Sequence, residues 1–176
     1  HHWPKSSELG ILEPVESTLD SLPLCYAGNG TAEGEVIYAG LGTQEEFELL
    51  SQQGVVIKDK IVLASNTLTF IPCTLAQQYS ASGVVIISDA PANLIRTGNA
   101  TLNLKAGQIP AVAISPSAGQ RLLALMSTGR LKLRVKFDGE FSNKPSANVI
   151  MTVPGVTFPD EQVILLAHYD SHNLGK

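Results

Sequence analysis

The chain has little of what marks several large classes of protein. Charged residues make up 16% of its 176 residues, the net charge is −4, and lysine and arginine form no long run. Nucleic-acid binding is therefore not supported. No apolar stretch approaches the roughly 20 residues that a membrane-spanning helix needs. The hydrophobic share, 44%, is ordinary for a packed core and argues against disorder.

Cysteine is also scarce, with Cys25 and Cys73 as the two examples. Their wide spacing excludes a disulfide framework and a zinc finger, but they could pair or remain buried thiols. Asn29-Gly30-Thr31 and Asn99-Ala100-Thr101 match the N-glycosylation acceptor pattern, which matters only in a secreted eukaryotic protein. We expect both tripeptides to be loop sequence. The polar start, residues 1–5, contains no visible signal peptide, and its two histidines fit native sequence or a purification-tag remnant.

The middle of the chain alternates short apolar runs with helix signals. Five runs predict strands: residues 35–39, 60–64, 84–87, 109–114 and 131–137. Three segments between them predict helices: residues 43–54, 74–82 and 117–129. This mixture predicts a mixed α/β fold.

Polar residues and glycines set the predicted helix ends. Thr43 with Glu46, and Ser117 with Gln120, have the spacing of capping boxes. Each helix is followed by a glycine that can end it: Gly54, Gly83 and Gly129. Residues 131–137 alternate apolar and cationic side chains, which indicates a half-exposed strand, and we place it at a sheet edge.

Residues 89–108 predict a long loop rich in Asn, Gly and Ala. Loops of this length are uncommon in compact domains and tend to be functional or mobile. This loop is our candidate for a contact surface, and an exposed, variable connector is the alternative. Residues 1–24 are polar, contain three prolines and predict a connecting arm.

A new segment begins at residue 146, with strands predicted at 147–153 and 163–167. His168-Tyr169-Asp170 follow directly after the second of these strands. Residues two apart on a strand share a face, and a carboxylate near a metal-bound imidazole can orient it. Ligands of open α/β sheets also lie at strand carboxyl ends. His168 and Asp170 thus fit the start of a metal site, although a lone histidine in a strand is more often structural.

The order of these motifs resembles a known family. The runs VIYAGLGTQEEF, VVIKDKIVLAS, AQQYSASGVVIIS and QIPAVAISPSAGQRLLALMSTGRLKLRVKF together resemble a protease-associated (PA) domain. The following SANVIMTVPG and EQVILLAHYDS resemble the first two strands of the catalytic domain of co-catalytic zinc exopeptidases. That family includes bacterial secreted aminopeptidases and glutamate carboxypeptidase II.

The resemblance implies a domain order and a fold. It implies a connecting arm at 1–24, a PA domain at 25–141 and the start of a zinc peptidase domain at 146–176. The expected fold is mixed α/β: a PA domain built as a β-sandwich or open barrel with short flanking helices. The first two strands of an α/β exopeptidase sheet would follow it.

The resemblance also implies roles for residues. His168 would bind one of two zinc ions in the complete enzyme, and Asp170 would orient that first shell. The family's other ligands and its general base follow this motif, so we expect the chain as given to bind no zinc and to be inactive. Peptides would be the substrates, and the PA domain would shape substrate access or bind proteins. The protein would be secreted, to the extracellular space or the cell envelope. A PA-type binding module of a receptor-like or sorting protein without catalysis is the alternative.

Overall fold

The computed structural model describes residues 2–103, 105–145, 147–158 and 160–168, and it builds the chain around one curved sheet. The described residues form eight strands: β1 (His2–Glu13), β2 (Ser17–Leu19), β3 (Ser21–Pro23), β4 (Gly30–Tyr38), β5 (Ile61–Ala64), β6 (Gly83–Ile87), β7 (Ala111–Ile114) and β8 (Lys132–Phe141). They also form three α-helices: α1 (Gln44–Gln52), α2 (Phe70–Gln78) and α3 (Pro116–Thr128). A short 3₁₀ turn covers Pro91–Asn93.

The strand order in the sheet is β2-β1-β8-β4-β5-β6-β7-β3. The four strands from β4 to β7 run parallel to one another, and the remaining strands join antiparallel. β1 also lies close to β3, so the sheet curls almost into a closed barrel. This architecture confirms the prediction of a mixed α/β open barrel with short flanking helices.

Of the parallel strands, β5, β6 and β7 are buried on both faces, which explains their continuous apolar sequence. On one face, Val62 and Ile86 pack in a cluster with Phe47 of α1. On the other face, Leu63 packs in a cluster with Leu122 of α3. The helices on both faces therefore hold these strands in a water-free layer.

The capping box predicted at the start of α1 is confirmed. Thr43 donates its backbone N–H to Glu46 Oε2 at 2.9 Å, and Glu46 returns its own N–H to Thr43 Oγ1 at 3.4 Å. The cap predicted for the third helix is wrong by two residues. Ser115 caps α3 by accepting from the Ala118 N–H at 3.3 Å, because Pro116 takes the first helical position, which suits proline.

The second helix begins earlier than predicted. α2 starts at Phe70 rather than at residue 74, since Pro72 lies in its first turn, where a missing N–H costs nothing. The expected stop, Gly83, instead begins β6. The chain turns at Ser80, whose φ of 60° is left-handed, and Ala81 N–H closes the turn on Ala76 O.

The pairing of β1 with β8 shows that two predictions are wrong: residues 1–24 as a connecting arm, and residues 131–137 as an edge strand. Residues 2–13 form β1, which pairs with β8 along most of its length and buries Leu9 and Ile11. β8 therefore lies inside the sheet, between β1 and β4. Its alternating cations reflect one solvent-facing side, as antiparallel strands allow, and not an open edge.

The two strands predicted after residue 146 are not formed in the described residues. Val149, Ile150, Leu165 and Leu166 are each more than three-quarters exposed. A strand needs a hydrogen-bonded neighbour, and no described residue pairs with these segments as a strand. Within the described ranges, none of the helices combines the length and apolar character needed to cross a bilayer.

Candidate functional site

A cleft lies between helix α2 and residues 101–103 and 106–108 of the long loop. α2 follows β5 and turns Cys73 and Ala76 into the core. Phe70 and Ile71 are left half-buried and Thr74 exposed, so they form one wall. Sequence reasoning missed this wall because it began the helix four residues too late.

Hydrogen bonds fix the base of the loop to the rest of the domain. Cys25 N–H donates to Gly98 O at 2.8 Å, and Ala100 N–H donates to Cys25 O at 2.7 Å. The buried Thr69 donates its hydroxyl to Asn99 O at 2.7 Å, which joins the start of α2 to the loop. The base of the loop predicted as a contact surface, residues 89–108, is therefore hydrogen-bonded to the rest of the domain.

The second half of the loop is also held in place. Thr101 Oγ1 donates to Lys105 O at 2.7 Å, and Lys105 N–H donates to Asn103 Oδ1 at 3.0 Å. Gln108 N–H donates to Gln77 Oε1 at 2.7 Å, which connects the loop directly to α2. These bonds position the wall that faces Phe70 and Ile71.

The cleft has a volume of about 630 Å³. Its described lining contains apolar residues and neutral polar residues: Gln44, Phe70, Ile71, Thr74, Leu75, Gln77, Thr101, Leu102, Asn103, Ala106, Gly107 and Gln108. None of these is an acid, a lysine, an arginine, a histidine, a serine or a cysteine. This lining can bind a ligand, but it offers no general acid, general base or activated nucleophile.

The two cysteines do not change that conclusion. Cys25 and Cys73 are free thiols, so the disulfide considered from the sequence is not formed. Burial raises the pKa of Cys73 to about 12 and also raises the pKa of Cys25. Neither thiol is therefore ionised at neutral pH, as a nucleophile or metal ligand would need to be.

A smaller pocket of about 350 Å³ lies where β4, β5 and β6 end. Asp89, Thr67 and Asn66 of its lining already make hydrogen bonds within the domain. Asp89 accepts from Thr67 Oγ1 at 2.7 Å and from Arg96 Nη1 at 2.9 Å, and Asn66 Nδ2 donates to Leu41 O at 2.6 Å. These contacts brace the turns at the strand ends and leave the α2 cleft as the better site.

The residues predicted to bind metal are not brought together in the described structure. His168 is exposed in a segment without strand pairing, and Asp170 lies outside the described residues. Among the described ranges there is no group of three His, Cys, Asp or Glu residues able to hold a metal ion. A catalytic zinc needs about three protein ligands, so the described donors do not fit one.

The glycosylation tripeptides are only partly loop sequence. Asn29 precedes β4, but Gly30 and Thr31 begin that strand. Asn99 lies in the long loop, where it forms a single bridge with Cys25.

A curated relative matches part of the chain. A glutamate carboxypeptidase 2 homolog from Caenorhabditis elegans is 41% identical over 68 residues, which is 38% of this chain and 9% of the relative. The chain thus spans a small part of the curated relatives that it matches.

Solved structures share the fold at low identity. An aminopeptidase from Aneurinibacillus sp. strain AM-1 matches 80% of this chain and 32% of its own, with a TM-score of 0.65 and 22% identity. A zinc aminopeptidase from Bacillus subtilis matches 78% and 32%, with a TM-score of 0.56 and 21% identity. A subtilisin-like protease from Pseudoalteromonas sp. AS-11 matches 76% and 33%, with a TM-score of 0.51 and 12% identity.

The family model described as "PA domain" matches residues 20–122, which is more than half of the chain. This span contains both walls of the cleft and all four parallel strands. It also agrees with the resemblance drawn from the sequence motifs. The chain therefore belongs to the PA domain family.

Proposed function

We propose that this PA domain, residues 25–141, is a non-catalytic module of a zinc exopeptidase, in which the α2 cleft contacts peptide substrates or a protein partner. The neutral cleft lining carries the proposal, because it can hold a peptide but has no group that could cleave one. The 41% identity over 68 residues to a glutamate carboxypeptidase 2 homolog supports an exopeptidase as the parent enzyme.

In this proposal the chemistry belongs to the segment that starts at residue 146. His168 would bind one of the two zinc ions of the complete enzyme, and Asp170 would orient its first shell. Such a site would supply Lewis-acid chemistry for peptide hydrolysis in the complete enzyme. In the full-length enzyme, His168→Ala should lower both the zinc content and the activity. Full zinc content in that variant would reject the assignment.

Peptides are the proposed substrates, and secretion is the proposed location. The relatives are named as an aminopeptidase and as a carboxypeptidase homolog, so the direction of exopeptidase action stays open. Hydrolysis assays with peptides blocked at one end or at the other would decide the direction, and finding the native protein only inside cells would contradict secretion.

A PA-type binding module without catalysis is the second candidate. It rests on the neutral lining of the α2 cleft, which can bind a ligand but carries no catalytic group. The gene sequence that follows Lys176 separates the two candidates. An Asp-Asn or Asp-Asp pair followed later by Glu-Glu would support the peptidase, and their absence would support the binding module.

Point variants in the full-length enzyme test the role of the cleft. Leu102→Ser should change the relative rates for longer peptides while leaving turnover of a minimal aminoacyl chromogenic substrate unchanged, because Leu102 lies on the cleft wall. Leu49→Ser is a matched control, since Leu49 is similarly exposed but lies outside the cleft. Identical selectivity in all three proteins would reject a contact role. Deleting residues 92–104 is a harsher test, because it also removes the Asn99 anchor.

A further inference from the structure

The chemistry of the α2 cleft restricts what it can hold. No described lining residue is charged. The cation nearest in sequence is Lys105, which is exposed and is not part of the lining. The nearest bonded acid is Glu48, which lies outside the lining and accepts from Gln44 Nε2 at 2.7 Å. A carboxylate or an ammonium group placed over the apolar floor, away from Gln44, would lose water without gaining an opposite charge, which is strongly unfavourable.

The apolar residues of the cleft form its floor and part of both walls. Phe70 and Ile71 are half-buried, and Leu75 is 8% exposed at the floor. Leu102 is 65% exposed on the opposite wall, so much of its side chain is open to contact. An apolar side chain that enters between Phe70 and Leu102 would remove apolar surface from water on both walls.

The polar part of the cleft suits peptide groups. Gln44, Asn103 and Gln108 carry carboxamides, which both donate and accept hydrogen bonds without a charge. Gln44 Nε2 already donates to Glu48 Oε1 and Asn103 Oδ1 already accepts from Lys105 N–H, so a ligand would use the Gln44 oxygen, the Asn103 amide and Gln108. Peptide N–H and C=O groups need the same neutral partners when they lose water. The cleft therefore combines an apolar floor with a neutral polar rim, the usual composition of a site that orients a ligand through few polar groups.

We propose that the cleft binds an extended peptide through one uncharged apolar side chain and rejects acidic and basic side chains at that position. This inference rests on the proposed function, since it names the ligand class of the same cleft. Charge complementarity selects this occupant, because the described lining has neutral groups for a neutral peptide.

The test is a titration of the 176-residue chain, followed by NMR of backbone amides, with the blocked peptides Ac-AALAA-NH2, Ac-AAEAA-NH2 and Ac-AAKAA-NH2. The leucine peptide should shift the amides of residues 70–78 and 101–108 saturably. The other two should bind at least tenfold more weakly. Leu102→Ser should weaken the leucine peptide about tenfold, which corresponds to losing roughly two buried methylene groups. Leu49→Ser should leave its binding unchanged.

A charge-introducing variant gives the test a second direction. Thr74 is exposed on α2 within the cleft, so Thr74→Lys should fold and place a cation there. It should raise the affinity for the glutamate peptide at least threefold and lower that for the lysine peptide. A wild-type preference for the glutamate peptide, shifts confined to other surfaces, or no saturable binding up to roughly 10 mM of any peptide would overturn the inference.

The two proposals fail in different ways. If the peptide titrations fail but Leu102→Ser still changes the selectivity of the full-length enzyme, the cleft contacts a different partner and only the ligand class is wrong. If the selectivity of the enzyme does not change, the contact role itself is wrong, whatever the isolated chain binds.

Discussion

The hydroxyl of Thr69 should hold the long loop against helix α2. Thr69 occupies the position before α2, yet its side chain makes no capping bond to the helix. It is 5% exposed and donates to Asn99 O at 2.7 Å instead. Thr69→Val keeps the shape and removes the donor, so it should act on the loop and not on the cap.

The expected loss follows from the bond that is removed. A neutral hydrogen bond contributes about 0.5–1.5 kcal/mol to stability. Removing the donor costs more, about 1–3 kcal/mol, when the carbonyl that accepted the bond stays buried without a partner. Asn99 is only partly buried, so water can partly replace the donor that its carbonyl loses. We therefore expect Thr69→Val to lower the free energy of unfolding by about 1–2 kcal/mol.

Urea denaturation and hydrogen exchange together measure this effect. The midpoint of unfolding should fall without a change in slope, and amide exchange should quicken at Cys25 and Ala100, whose backbone bonds flank the same bridge. Thr69→Ser is the matched control because it keeps the hydroxyl and loses the methyl group. A valine variant that matches the wild type in both measurements would refute the reasoning, as would a serine variant that exchanges faster than the valine variant.

Other contacts make three further predictions. Gly119→Ala should cost about 1–2 kcal/mol in urea denaturation, because the new Cβ would lie 2.5 Å from the stiff Ile87 Cγ2. Adding Ile87→Ala should recover part of that cost, and fully additive effects would argue against a clash. Thr43→Ala should cost about 1 kcal/mol in thermal unfolding by removing the capping box, whereas Thr43→Ser should cost much less. Burial lowers the pKa of His2 below 6.5. Between the two pKa values the unfolded chain binds more protons than the folded chain. The contribution of His2 to the free energy of unfolding should therefore be fully present above pH 6.5 and should fall as the pH drops towards the lowered pKa. His2→Gln should remove that part of the pH dependence, and an unchanged curve would contradict it.

The central sheet could be predicted from sequence because its signals are local. The runs at 60–64, 84–87 and 109–114 correspond to β5, β6 and β7 within about two residues. Strands buried on both faces need continuous apolar sequence, which is visible without knowledge of the partner strand. The Thr43–Glu46 capping box was predictable for the same reason, since both partners lie within one turn.

The rest of the sheet depends on partners far away in sequence. β1 has several polar residues and a proline, Pro4, and it is a strand because β8, more than a hundred residues later, pairs with it. The position of β8 inside the sheet depends on the same pairing. Strand propensity is too weak to reveal such long-range pairs, because packing against neighbours decides the outcome.

The candidate site was only partly predictable. Its loop wall could be located from the unusual length of residues 89–108. Its helix wall was missed because the helix was predicted to begin at residue 74, whereas Phe70 to Cys73 form its first turn, in which Pro72 is tolerated. The neutral character of the cleft emerges only when the two walls are brought together, as the bond between Gln77 and Gln108 does.

The folded unit extends beyond the span that the family model matches. The match covers residues 20–122, whereas β1 and β8 lie outside it. Those two strands supply Leu9, Leu133 and Val135 to the core cluster that also contains Leu63 and Leu122. Without them, one face of the parallel strands would be exposed along β4 and β5, and apolar burial drives such a domain to fold. The cleft therefore depends on residues that never touch it, because the parallel strands that position α2 are covered by β1 and β8.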